Sequence, residues 1–147
     1  MKKLIMVNIS VLLIMFLTAS VNVKPNTDTQ SVEHLLEERI AILNHFYGGK
    51  MAFDDARNNL EKISADSLLK EDVSLMKAFD GSEVDHVAEF HIEITECGRT
   101  SYGVIKGKAE ISWLMQGQRE EWDTVESYYF TAEDDQGTIK LTQLKKL

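Results

Sequence analysis

Two charged residues occupy positions where the local pattern calls for apolar ones. Arg39 lies at about 340° on a helical wheel started at Val32, near the middle of an apolar stripe. Glu126 falls on the alternate positions of a strand that also carry Thr124 and Tyr128. His86 has the same inward parity in an earlier strand. A buried carboxylate needs a partner, since an unpaired buried charge is strongly destabilising. The pattern therefore predicts an Arg39–Glu126 ion pair. Ala88 and Ala109 leave room beside it, and Trp113, Trp122 and Phe90 wall that room. Arg39, His86, Thr124, Glu126, Tyr128, Trp113 and Trp122 are the candidate ligand-binding residues of such a pocket. By strand spacing and rise, His86 and Glu126 stand roughly 10–12 Å apart, too far for an acid–base pair but near enough to touch one ligand. A structural reading stays open, with His86 on a backbone carbonyl and Arg39 laying its stem over apolar surface.

Other chemistry finds less support. His86 and His91 face opposite sides of one strand and cannot chelate one metal. His91 shares a face with Glu89 and Glu93, but that face is the solvent side. Cys97 and His91 lie ~20 Å apart by strand rise, which excludes a nucleophile–base pair. The chain has no phosphate-binding glycine loop, metalloprotease helix motif or esterase elbow. No catalytic residue, metal or cofactor is expected.

The chain of 147 residues is 44% hydrophobic and 27% charged, which suits one globular domain. With 16 basic and 24 acidic residues its net charge is -8, so polyanions are repelled and nucleic acid is not an expected partner. One Cys excludes a disulfide scaffold. Lys2 and Lys3 precede an apolar segment from Leu4 to Val23. It reads either as a signal peptide, with Thr18-Ala19-Ser20 as the cleavage site, or as an anchor of the ~20 residues that cross a bilayer. Both readings place the rest of the chain outside the cytoplasm, because the lysines favour the inner side. The expected organisation is residues 1–23 as signal or anchor, 24–30 as linker and 31–147 as the domain.

The elements that must position the candidate residues come in two halves. Val32, Leu35, Leu36, Ile40, Ile42, Leu43, Phe46 and Tyr47 form a stripe about 160° wide, the mark of a helix buried on one side. Ser31 or Thr29 caps that helix and Gly48-Gly49 ends it. A second helix carries Phe53, Ala56, Leu60 and Ile63, with Asp54 as its cap. A third carries Leu69, Val73, Met76 and Phe79 after Asp66. Beyond Asp80-Gly81 the period becomes two. Even positions from Val84 to Ile94 point inward, then odd positions from Gly103 to Met115. A turn centred on Gly98-Arg99 sets Ile92 opposite Ile105, Phe90 over Gly107, Ala88 opposite Ala109 and His86 opposite Ile111. A type II′ turn centred on Gly117-Gln118 sets Trp113 opposite Trp122 and Ala109 opposite Glu126. The last strand, Thr138 to Leu147, changes parity midway, so a bulge is expected near Thr142 or Gln143. Leu36, Leu43 and Phe46 should pack on Phe90, Ile105 and Trp122.

Helices followed by an antiparallel meander predict an α+β fold, with N-terminal helices, one of them long, on a curved four-stranded sheet. Glu126-Ser-Tyr-Tyr-Phe, followed by Asp135-Gln-Gly-Thr-Ile-Lys-Leu-Thr-Gln-Leu, resembles the closing hairpin of the NTF2-like (cystatin-like) superfamily. Thr138 stands where that superfamily commonly has Trp. The resemblance covers about residues 29–147 and carries no catalytic signature. With its leader, the chain also resembles small extracytoplasmic proteins of Gram-positive bacteria. The resemblance implies an extracytoplasmic module that binds a protein partner or small ligand. Two other classes remain, a small isomerase- or hydrolase-type pocket enzyme using His86 or Glu126, and an assembly subunit of a cell-envelope or conjugation apparatus. Tyr102, Val104, Leu114, Val125 and Tyr129 share the outer sheet face, where a homodimer could form.

Overall fold

The computed structural model describes residues 27–82, 85–117 and 120–147. Three helices pack on one face of a four-stranded antiparallel sheet, an α+β fold. The helices are α1 (Thr27–Tyr47), α2 (Phe53–Ile63) and α3 (Asp66–Ala78). The strands, in spatial as in chain order, are β1 (His86–Arg99), β2 (Val104–Gln116), β3 (Glu121–Asp135) and β4 (Thr138–Lys146). Among the described residues no helix is long and apolar enough to cross a membrane. The segment Leu4 to Val23 lies outside them.

Helix α1 begins at Thr27, inside the expected linker, and Ser31 is no cap. Its hydroxyl donates back to the Thr27 carbonyl, one turn earlier. The stripe is as expected at its start: Val32, Leu35, Leu36 and Ile40 are buried. They meet Ile92, Ile105, Ala109, Ile111, Phe130, Ala132 and Leu141 from the sheet in one core. Leu43 and Phe46 are only half-buried against that core. Phe46 stacks edge-on with Tyr47, Phe53 and Phe79, so its ring serves the helix–helix contact. Gly49, at φ 69°, ends α1 in the left-handed conformation that costs glycine least. Neither Ala52 before α2 nor Ala65 before α3 offers a side-chain cap, so Asp54 is a first-turn residue only.

Two side-chain contacts pin α1 to β1. At one end the Arg99 guanidinium donates to both Asp28 carboxylate oxygens, at 2.8 and 2.6 Å, and at 2.6 Å to Asp134. Arg99 holds both carboxyls below the usual carboxylate range. At the other end Asn44 acts as a strand partner: its amide donates to the Val87 carbonyl at 2.9 Å and accepts from the Val87 N–H at 3.2 Å. From Asp28 to Asn44 a helix rises about 24 Å. From Val87 to Arg99 a straight strand would run roughly 40 Å. β1 takes up the difference with two bulges, at Ala88 and Thr95, because an extra residue bends its strand.

The bulges overturn the expected register of β1. The turn to β2 lies at Thr100–Gly103, where Gly103 has φ 79° and the Thr100 N–H meets the Val104 carbonyl. Gly98 and Arg99 stay in the strand. Ile92 therefore faces Ile111, Phe90 faces Trp113 and His86 faces Gln116. Phe90, Ile92 and Ile94 keep the expected inward parity. The Ala88 bulge reverses it, so Val87 points inward while His86 and Ala88 are exposed. The β2–β3 pairing keeps its parity but slides by two residues, with Trp113 opposite Thr124, Met115 opposite Trp122 and Ala109 opposite Tyr128. Gly117 donates to the Glu120 carbonyl, so Gly117 ends the strand side of the turn and is not one of its central residues. Residues 118 and 119 are outside the described residues. The β4 bulge falls at Thr142, as the sequence predicts. β4's outer edge is closed by the α2–α3 junction, where the Ala65 N–H donates to the Leu141 carbonyl.

Gly107 sits where this construction is tightest. A β-carbon there would lie 1.9 Å from the Glu96 carbonyl oxygen, beside the Thr95 bulge, and 2.6 Å from Phe130. The aromatic ring over this strand glycine is thus Phe130, its partner on β3, and not Phe90. Gly107→Ala should destabilise the fold by about 3 kcal/mol or more, above the ordinary overpacking range, because backbone has no room to give. Urea unfolding measures it, and a loss under about 0.5 kcal/mol, typical of surface positions, would refute this packing.

Candidate functional site

Beyond the core, a cleft runs along the second half of α1, which stays pinned to β1 at Asn44. One part, of about 270 Å³, is lined by Arg39, Leu43, Asn44, Tyr47, Asp85 and Trp113, with Ile40 and Val87. A neighbouring part, of about 300 Å³, is lined by Val87, Trp113, Met115, Trp122, Thr124 and Glu126. Val87 and Trp113 belong to both, so the two parts adjoin. The local sequence explains the walls. Odd positions of β2 and even positions of β3 face the helix, which brings Trp113, Met115, Trp122, Thr124 and Glu126 to one side. Val87 joins them only through the Ala88 bulge.

Five of the expected residues line this cleft: Arg39, Trp113, Trp122, Thr124 and Glu126. Tyr128 sits beside it and donates its hydroxyl to Glu126. His86 does not join them. It lies in a third cleft, of about 430 Å³, with His45, Gly48, Lys50 and Gln116, which shares Asn44 and Val87 with the first part. The room expected at Ala88 and Ala109 is absent, since Ala109 is wholly buried in the core and Ala88 is out at the bulge.

Arg39 is inward, but its partner is Asp72 and not Glu126. Its Nε donates to Asp72 Oδ2 at 2.9 Å, and its second nitrogen to Oδ1 at 2.5 Å, a two-point pairing. The Asp72 side chain is 1% exposed, and that of Arg39 17%. Asp72 sits on α3 between buried Leu68 and Met76. An acid in the middle of an apolar row with four-residue spacing is the signal that could have found it. The reading of α3 through Leu69 and Val73 missed it. Glu126 instead pairs with Lys146 from β4 at 2.5 Å. Lys146, then Tyr128, holds the Glu126 carboxyl below its ordinary range. Burial, then Glu126, pushes the Tyr128 phenol well up, and burial, then Asp72, raises that of Tyr47. The Trp113 indole N–H lies near enough to favour a Tyr128 phenolate, but the geometry falls short of a hydrogen bond. Its Nε1 is buried without a partner among the described residues.

A lined cleft with paired charges can hold a ligand. Among the described residues no three His, Cys, Asp or Glu side chains are placed to hold a metal ion.

No family model matches the chain, and no curated protein matches it. Among solved structures it is similar to the intermembrane space region of the chloroplast protein ARC6, with a TM-score of 0.61 and 12% identity. The match covers 84% of this chain and 98% of that one. The likeness is one of fold.

The pairing itself is testable. Arg39→Met leaves the Asp72 carboxylate buried and alone, and should cost about 3–5 kcal/mol. Adding Asp72→Leu should recover most of that loss. Glu126→Gln should cost no more than about 1 kcal/mol, because Lys146 is largely in solvent. Urea unfolding of these three variants and of Asp72→Leu alone checks the set, and strict additivity of Arg39→Met with Asp72→Leu would sink the pair.

Proposed function

We propose that this chain is an extracytoplasmic module of the NTF2-like kind that binds a small organic ligand in the cleft between α1 and the sheet. One observation carries the reading: both tryptophans of the chain, Trp113 and Trp122, line the same open cleft. Aromatic walls with a few polar groups are the usual make-up of a small-molecule site. Trp122 is 37% exposed and Phe90 36%. Large rings left this open, away from a well-filled core, offer surface that a ligand can cover. The extracytoplasmic placement rests on Lys2, Lys3 and the apolar segment after them.

The tryptophans also report occupancy. The full chain in maltoside micelles should bind uncharged aromatic probes such as N-phenyl-1-naphthylamine with quenching of tryptophan emission. Trp122→Leu should weaken that binding about tenfold, in line with losing a buried aromatic contact. Unchanged emission across a panel of such probes would refute the site. Protease added to intact cells after wall removal should degrade an anchored domain. Protection of the domain, with none in the medium, would refute its export.

A further inference from the structure

We infer that the ligand of this cleft is an organic cation, an alkylated ammonium group carried on a small body; this deepens the reading above and rests on it. The inference comes from the charges on the walls. Arg39, the one cation in the described lining of the two parts, is held at two points by Asp72 and so brings no net charge. Glu126 is answered by Lys146. That leaves Asp85, an exposed carboxylate lining the first part of the cleft with no ion-pair or hydrogen-bond partner among the described residues. The uncompensated charge of the described lining of these two parts is therefore negative.

Asp85 also stands beside the rings. A β-carbon at Gly117 would lie 3.1 Å from Asp85 Oδ1 and 3.1 Å from Trp122 Cζ3, so carboxylate and indole flank the same glycine. Trp113 lines both parts of the cleft, with Tyr47 in the first and Trp122 in the second. The face of an aromatic ring attracts a cation, tryptophan most strongly, and a soft alkylated ammonium loses little hydration on entering. The whole chain, at -8, adds a field that draws cations in and turns anions away. Within the described lining of the two parts, an anionic ligand would meet Asp85 and Glu126 and no unpaired cation. A neutral one would fill the space and leave the negative field unused.

The test compares choline with its carbon isostere 3,3-dimethylbutan-1-ol, which have the same shape and differ in charge. The full chain in maltoside micelles is titrated with each, followed by the two indole N–H resonances. Choline should bind about tenfold more tightly than the isostere, the gain of one ring contact plus one carboxylate. Asp85→Asn should narrow the preference to about threefold or less. Asp123→Asn removes the same charge from the outer sheet face and should keep the preference, which separates local recognition from net charge. Equal binding of the two probes would overturn the cation and leave the cleft a ligand site. So would binding of anilinonaphthalene sulfonate where choline fails. If no probe moves either indole resonance, the cleft reading falls as well.

Discussion

A short helix is tied at both ends to a longer strand. Arg99 holds Asp28 at the start of α1, and Asn44 holds Val87 near its end. The helix cannot stretch, because its rise is set by its hydrogen bonds. The strand must shorten its path, and bulges at Ala88 and Thr95 let it bend. Much of the rest follows. The Thr95 bulge brings the Glu96 carbonyl onto β2, which only a glycine at 107 admits. The Ala88 bulge turns Val87 inward and leaves His86 exposed.

Charge is handled by separation along the fold. Three charges find partners on another element: Arg39 on α3, Glu126 on β4, Arg99 on α1. The Arg39–Asp72 pair is the driest, and such a pair contributes less to net stability than its short distances suggest, since both groups lose water. Its structural effect is to fix how α3 lies against α1. Its effect on the cleft is to cancel the guanidinium charge there. The described walls then consist of rings, aliphatic side chains, a few neutral polar groups, two paired charges and one carboxylate with no described partner.

The core and the cleft divide α1 between them. Its first half buries Val32, Leu35, Leu36 and Ile40 against the sheet, while Leu43, Phe46 and Tyr47 in the second half are only partly covered. Phe46 and Tyr47 turn to Phe53 and Phe79, which keeps the helices together where the sheet contact ends. The cleft is thus bounded by structure stabilised elsewhere, and it can stay open without weakening the fold.

Local pattern by itself determined a good deal. The change from a period of 3.6 to a period of two marked where helices end and strands begin. Gly48-Gly49 marked the end of α1, and the parity change between Leu141 and Leu144 marked the bulge at Thr142. Alternation in β2 and β3 put Trp113, Trp122, Thr124 and Glu126 on one face, and that face lines the cleft. These are properties of neighbours in the chain, and the backbone geometry of one element decides them. Tertiary structure alone decided the partners. Nothing in β1 announces its bulges, because the need for them lies in the length of α1 and the two pins that hold it. Arg39 and Glu126 were each read correctly as inward, but the sequence holds no distance between them. Asp72 and Lys146 lie nearer in space, on elements whose placement depends on every register before them.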